Sequence, residues 1–146
     1  MSSIPAFVNN MTKLSAAVTH NADLAVKAAA RSVTKKVIEG TPVDTGKARS
    51  NWQVSLGSPR NTVLTPYAPG RHLGKGEATN AAAAFQKAAG TIAGRRRGQV
   101  VIIQNNVGYI GRLNKGSSKQ APTNFVESAV FAGLKSVRGI RILKVR

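Results

Sequence analysis

Thr41-Pro42-Val43-Asp44-Thr45-Gly46-Lys47-Ala48-Arg49-Ser50-Asn51-Trp52 divides two kinds of hydrophobic pattern. Before it, apolar residues recur every three or four positions; after it, they alternate. The stretch carries the residues that stop a helix and turn a chain. Gly40 stands just ahead of it, Pro42 has no amide hydrogen to donate, and Gly46 is free to take positive φ. Asp44 suits a turn in which its carboxylate bonds its own backbone.

Upstream, residues 6–39 read as one long helix or two stacked ones. Phe7, Met11, Leu14 and Val18 recur at spacings of four, three and four, and Leu24, Ala28, Val33 and Val37 continue an apolar side with some drift. At about 1.5 Å per residue such a helix approaches 50 Å. Lys27, Arg31 and Lys35 form a basic stripe, with Asp23 one turn before Lys27 in the favourable order for an ion pair.

Downstream, Asn51–Leu56 reads as a strand with Trp52, Val54 and Leu56 on one face. Trp52 is expected to pack this strand onto the long helix. A loop at 57–61 leads to a second strand candidate at 62–65. Residues 66–77 hold two prolines and three glycines and read as an exposed, mobile loop. An alanine-rich helix is predicted at 79–93, with Phe85, Ala88, Ala89 and Ile92 on its apolar face. Gln99–Asn105 is the most apolar strand candidate and is expected to be central in a sheet. After a loop at 108–120, a helix is predicted at 124–136. Asn124 and Glu127 have capping-box spacing there, and Phe125, Val126, Ala129, Val130, Gly133 and Leu134 supply an apolar face. Residues 139–146 read as a last strand. The expected fold is α+β: a long N-terminal helix on an antiparallel sheet of about four strands, with two further helices, in a single domain over residues 1–146.

Composition bounds the function. The chain has 146 residues, 42% of them apolar, enough for one core. Its 22 Lys and Arg against 5 Asp and Glu give a net charge of +17. The excess is spread: +4 over residues 1–56 (seven basic, three acidic), +6 over 57–98 (seven, one) and +7 over 99–146 (eight, one). A folded body this basic calls for polyanions or acidic protein surfaces around it. There is no cysteine, so disulfides and thiolate chemistry are excluded. The first residues lack the pattern of a signal peptide, and no apolar run reaches the ~18 residues of a membrane span.

Enzymatic motifs fail on inspection. Asp44-Thr45-Gly46 matches the triplet of aspartic proteases, but two such aspartates must share a proton and this chain has one copy. Gly70-Arg71-His72-Leu73-Gly74-Lys75 falls one residue short of a phosphate loop, and Gly76 stands where Ser or Thr is needed. His20 and His72 are the only histidines, and with five carboxylates a metal site or acid–base pair has few candidates. No catalytic residue, metal or cofactor is expected. Arg95, Arg96 and Arg97, with Arg71 and Lys75 in the loop, are the candidates for contact with DNA or with acidic partners. Sparse aromatics and the lack of a reading helix argue against base-specific recognition.

A second stretch joins the first: Tyr109-Ile110-Gly111-Arg112-Leu113-Asn114-Lys115-Gly116-Ser117-Ser118-Lys119-Gln120-Ala121-Pro122, running into Phe125 and Val126. The ordered pair resembles the neck and tail-component (tail-completion) family of tailed bacteriophages, which is remotely similar to minor tail protein Z of lambdoid phages. The matching positions are Pro42, Asp44, Thr45, Gly46 and Trp52, then Tyr109, Leu113, Gly116, Ser117, Ser118, Gln120, Ala121 and Pro122. Lys115 stands where an acidic residue is usual, and Asn124 where glycine is common. The resemblance implies a structural virion protein made in the host cytoplasm. It implies a ring of six copies at the head–tail junction or the top of the tail, which joins head to tail and lets genomic DNA pass. Its neighbours would be neck, connector or tail-tube proteins, with no membrane involved. The alternative class, from charge alone, is a sequence-independent nucleic-acid-binding protein.

Overall fold

The computed structural model describes residues 3–70 and 76–141. The long helix, α1 (Ile4–Gly40), is a single unbroken one of 37 residues. Ser3 caps its start by accepting from the Ala6 amide at 3.4 Å. Its end is set by Thr41, which turns to extended backbone (φ −75°, ψ 124°). A short helix, α2 (Lys47–Ser50), and strand β1 (Trp52–Leu56) follow. Next come α3 (Glu77–Ala93), β2 (Val101–Asn105), a short α4 (Ile110–Asn114) and α5 (Phe125–Ser136).

The core lies where the C-terminal half of α1 meets α5, α3 and β1. Val33, Val37 and Ile38 of α1 pack with Trp52, Ala84, Ala121, Phe125 and Ala129. Ala30, Val54, Ala88 and Ile92 form an adjoining cluster. On α3 the buried stripe is Asn80, Ala84, Ala88 and Ile92, four residues apart, with Phe85 at its margin. On α5 it is Phe125, Ala129 and Gly133, again at i, i+4. Helices α1 and α5 run antiparallel, with Phe125 against Gly40 and Gly133 against Val33.

The sheet has two strands, not the four expected. β1 pairs antiparallel with β2, Trp52 opposite Asn105 and Val54 opposite Ile103, so β2 is an edge strand of intermediate burial rather than a central one. The stretch 62–65 runs beside β1, but side-chain amides have taken its backbone groups. Asn51 accepts from the Leu64 amide at 2.6 Å and donates to its carbonyl at 2.9 Å. Gln53 and Asn106 both donate to the Thr62 carbonyl, at 2.7 and 2.9 Å. Gln104 accepts from the Arg60 amide at 3.0 Å and donates back to the Arg60 carbonyl. With those groups occupied, no ladder forms. The same amides bury the face of β1 that alternation marks as polar: Gln53 is 7% exposed and Ser55 4%. Gly139–Arg141 is not strand, and the rest of the predicted last strand lies outside the described residues.

Two local expectations are also corrected. Residues 110–114 are helical within the predicted loop. Asn124 does not cap α5 with its side chain; it adopts the left-handed conformation (φ 61°, ψ 37°). That backbone favours glycine and tolerates asparagine, which accounts for the kind of residue found at this position. Capping is done by Asn114 at the end of α4. Its Oδ1 accepts from the Val126 amide at 2.9 Å, its carbonyl accepts from Asn124 at 2.7 Å, and its Nδ2 donates to the Glu127 carboxylate. Pro122 lies in the turn before the helix rather than at its first position.

Candidate functional site

The two sequence motifs meet, through residues 77 apart in the chain. The exit from α1 forms one wall. Thr41 Oγ1 donates to the Val37 carbonyl at 2.5 Å and accepts from the Trp52 indole at 2.7 Å, so one hydroxyl ties helix end to strand start. Trp52 is buried, as expected, against α1. Gly46, at φ 77°, turns the chain into α2. The turn's side-chain acceptor is Thr45, whose hydroxyl receives the Lys47 amide at 3.4 Å, and not Asp44.

The second motif forms the facing wall. Gly116, at φ 90°, folds the loop back after α4, and a Cβ there would lie 2.5 Å from Thr123 Oγ1. The Ser117 amide donates to the Arg112 carbonyl, and Ser118 Oγ accepts from the Gln120 amide. Gln120 makes the junction: its Oε1 accepts from the Val43 amide at 3.0 Å. Ala121 joins the core. Between the walls lies an open cavity of about 450 Å³, bordered by Pro42 through Ala48 and by Tyr109, Leu113, Ser118 and Gln120. Burial, and secondarily the negative charge of Asp44, hold the Tyr109 phenol above its usual pKa of 10.0.

Beneath this junction sits a residue that sequence reasoning missed. Arg49 is 5% exposed. Its guanidinium donates to the Glu77 carboxylate at 2.6 Å and to the carbonyls of Thr41 (2.8 Å) and Glu39 (3.2 Å). It therefore neutralises the C-terminal end of α1, where unpaired carbonyls concentrate negative partial charge. The signal was weak: one more arginine in a basic chain.

The arginine run divides. Arg95 is bonded to the Asp23 carboxylate on α1, with its Nε donating to the Gln99 carbonyl at 2.9 Å. Asp23 also pairs with Lys27 at 3.1 Å, the pair read from spacing. Arg96 and Arg97 are exposed, and Arg97 borders α1 beside Met11, Ser15 and Thr19. His20 is exposed; Arg71, His72 and Lys75 lie outside the described residues. The arrangement offers one carboxylate, one amine and one phenol around the cavity, and no group of three or more His, Asp and Glu that could hold a metal occurs among the described residues. What it does physically is tie the end of α1 to the start of β1 and to the loop that leads into α5.

Asp23 and Glu127 should make the protein acid-sensitive. The hydrogen bond from Lys27 is the main cause that lowers the Asp23 pKa below its ordinary 3.8, with Arg95 adding to it. The hydrogen bond from Asn114 lowers Glu127 below its ordinary 4.5. A carboxylate depressed in the folded state stabilises it above the unfolded pKa, and that contribution is lost as pH falls through the folded one. Tm should therefore drop as pH is lowered below about 4.5, and Asp23→Asn should lower Tm at pH 7 and flatten part of that drop. A pH series of thermal melts checks both.

Comparison with known families gives a match. The family model described as "Bacteriophage HK97-gp10, putative tail-component" covers residues 6–130, which includes both motifs and the cavity between them. No curated protein and no solved structure matches. No described helix is long and apolar enough to cross a membrane.

Proposed function

The chain belongs to the HK97-gp10-like family of bacteriophage tail components and is a structural protein of the virion, and from that premise we propose that it assembles with copies of itself into a ring, of six subunits, at the neck or the top of the tail. The ring joins head to tail and leaves a passage for the genome. The observation that carries this reading is the N-terminal half of α1. It stands clear of the core, with Ile4, Phe7, Val8, Met11 and Leu14 between 40% and 81% exposed. A contiguous apolar face on a soluble protein marks a contact surface.

The basic charge then meets acidic faces of neighbouring neck, connector or tail-tube proteins. Arg95 is already matched internally by Asp23, which leaves Arg96 and Arg97 as the exposed members of the run. Were the excess turned to the channel, each phosphate neutralised would steepen the log–log salt dependence by about 0.9 and grip DNA that must slide.

The test is a phage lacking this product. Filled heads and finished tails should accumulate unjoined, and adding the purified protein to the extract should restore particles. Joined, infectious particles without it would overturn the reading. Filter binding to duplex DNA tests the role of the charge: weak retention is expected at physiological salt, and tight retention would turn the basic surface toward DNA.

A further inference from the structure

We infer that the projecting half of α1 docks on the exposed face of α5 in the next copy of this chain. The inference rests on the ring reading above and names its contact.

Among the described residues, two helices carry clusters of exposed large apolar side chains. The first is the strip Ile4, Phe7, Met11 and Leu14, 81%, 60%, 49% and 40% exposed. Its position is informative. At about 100° per residue, this strip is rotated about a quarter of a turn from the line of Ala30, Val33 and Val37 that α1 buries. It is therefore not a frayed continuation of the core face but a second face. The second surface is on α5, where Val130, Phe131 and Leu134 are 41%, 68% and 56% exposed. They lie opposite the buried stripe Phe125, Ala129 and Gly133.

These surfaces cannot meet within one chain. Because α5 runs antiparallel to α1 with Gly133 at Val33, Phe131 lies level with about residue 35. Met11 is then about 36 Å away along the helix at 1.5 Å per residue. A contact between different patches on two copies is heterologous, and its repetition closes a ring when the rotation allows.

Charge favours a second copy over an acidic partner as the occupant. The chain carries +17 in total. Residues 3–22 contain one charged side chain, Lys13, giving +1, and α5 contains Glu127 and Lys135, giving zero. The remaining +16 lies elsewhere, by subtraction of +1 and 0 from +17. The two apolar surfaces are thus weakly charged parts of a molecule that otherwise repels its own kind, with Lys13 and the neighbouring Arg97 the cations beside the first. An acidic partner would favour the basic surfaces instead.

The chain has no cysteine, so introduced thiols report cleanly. The full-length Met11→Cys, Phe131→Cys double variant, treated with a short bismaleimide, should give a ladder of dimers, trimers and higher species on a denaturing gel. Each single variant should remain monomeric on the gel. Phe131→Glu with Leu134→Glu should abolish assembly seen by light scattering while leaving Tm nearly unchanged. Assembly without a ladder, or assembly that survives the double glutamate, would place the contact elsewhere and leave the ring standing. Dimers from Met11→Cys alone would mean that α1 pairs with α1, and this inference would fail. A wild-type chain that stays monomeric at every concentration and gives no ladder would remove the self-assembled ring as well.

Discussion

Gly133→Ala is expected to destabilise the protein by about 2–4 kcal/mol, even though alanine is the better helix former by about 1 kcal/mol. The reason lies at the crossing of α5 with α1. A Cβ on residue 133 would fall 2.2 Å from Val33 Cγ2, 2.9 Å from the Val33 backbone nitrogen and 3.1 Å from its Cα. A side-chain atom could rotate aside, but the α1 backbone cannot. The helices would have to separate, and the contacts of Phe125 and Ala129 with Val33 and Val37 would loosen with them. At roughly 2–4 °C per kcal/mol for a chain of this size, Tm should fall by about 5–15 °C. Adding Val33→Ala removes the nearest atom and should recover only part of the loss, since the backbone atoms remain. Gly90→Ala is the control. Gly90 sits on the exposed side of α3 with nothing within 4 Å of its Cβ position, so the same substitution there should raise stability by about 1 kcal/mol. Thermal or denaturant melts of the variants measure all of this, and a Gly133→Ala variant as stable as wild type would refute the close crossing.

The opposite signs expected at Gly133 and Gly90 also show what kind of information the sequence holds. Periodicity locates α1, α3 and α5 because each must bury one stripe, and that demand is local to the helix. The stop at Gly40-Thr41-Pro42 and the packing of Trp52 follow from residues near one another in the chain. The sheet was misjudged for a different reason. Asn51, Gln53, Gln104 and Asn106 look like the solvated face of two strands, and alternation says no more. In the fold, Gln53 stands opposite Gln104, and all four amides turn to the backbone of residues 60–64. They replace a third strand with side-chain bonds. Which carbonyl an amide will find nine to forty-six residues away is a property of the assembled fold, not of local pattern. Arg49 was missed on the same ground: a charge is expected outside, unless a helix end and a carboxylate are brought to it. The pairing of the two motifs through Gln120 and Val43 was not contained in either motif; their order in the chain pointed to a family but not to a contact.

Asn80→Ala should be the most damaging single polar substitution, costing about 3–5 kcal/mol. Asn80 is 0% exposed on the buried stripe of α3. Its Oδ1 accepts from Ser50 Oγ and from the Ala68 amide, both at 2.8 Å, and its Nδ2 donates to the Ala68 carbonyl at 2.9 Å. One side chain thus fastens three things: α3, the end of α2 and the loop that follows residue 65. Truncation leaves the Ser50 hydroxyl hydrogen without its acceptor and both backbone groups of Ala68 without these partners, and each such loss costs about 1–3 kcal/mol. The effect should reach the first sequence motif. Gly46 packs so closely on Asn80 that a Cβ at 46 would lie 2.3 Å from Nδ2, in a backbone with φ of 77° that already disfavours any side chain. Gly46 is therefore required twice over, for its conformation and for the room it leaves. Asn80→Asp separates the contributions. It keeps the shape and the acceptor but turns the Ala68 carbonyl's donor into a second acceptor and sets a carboxylate in a buried site, so it should be nearly as damaging as alanine at pH 7. Below pH 4 it should recover partly, as protonation restores a donor. Limited proteolysis gives the local readout: cleavage within residues 57–70 should rise in both variants well below their Tm. Normal protection of that segment with unchanged melting would mean that the loop is held by Asn51, Gln53, Gln104 and Asn106 without Asn80, and that the tight fit of Gly46 on Asn80 has no energetic weight.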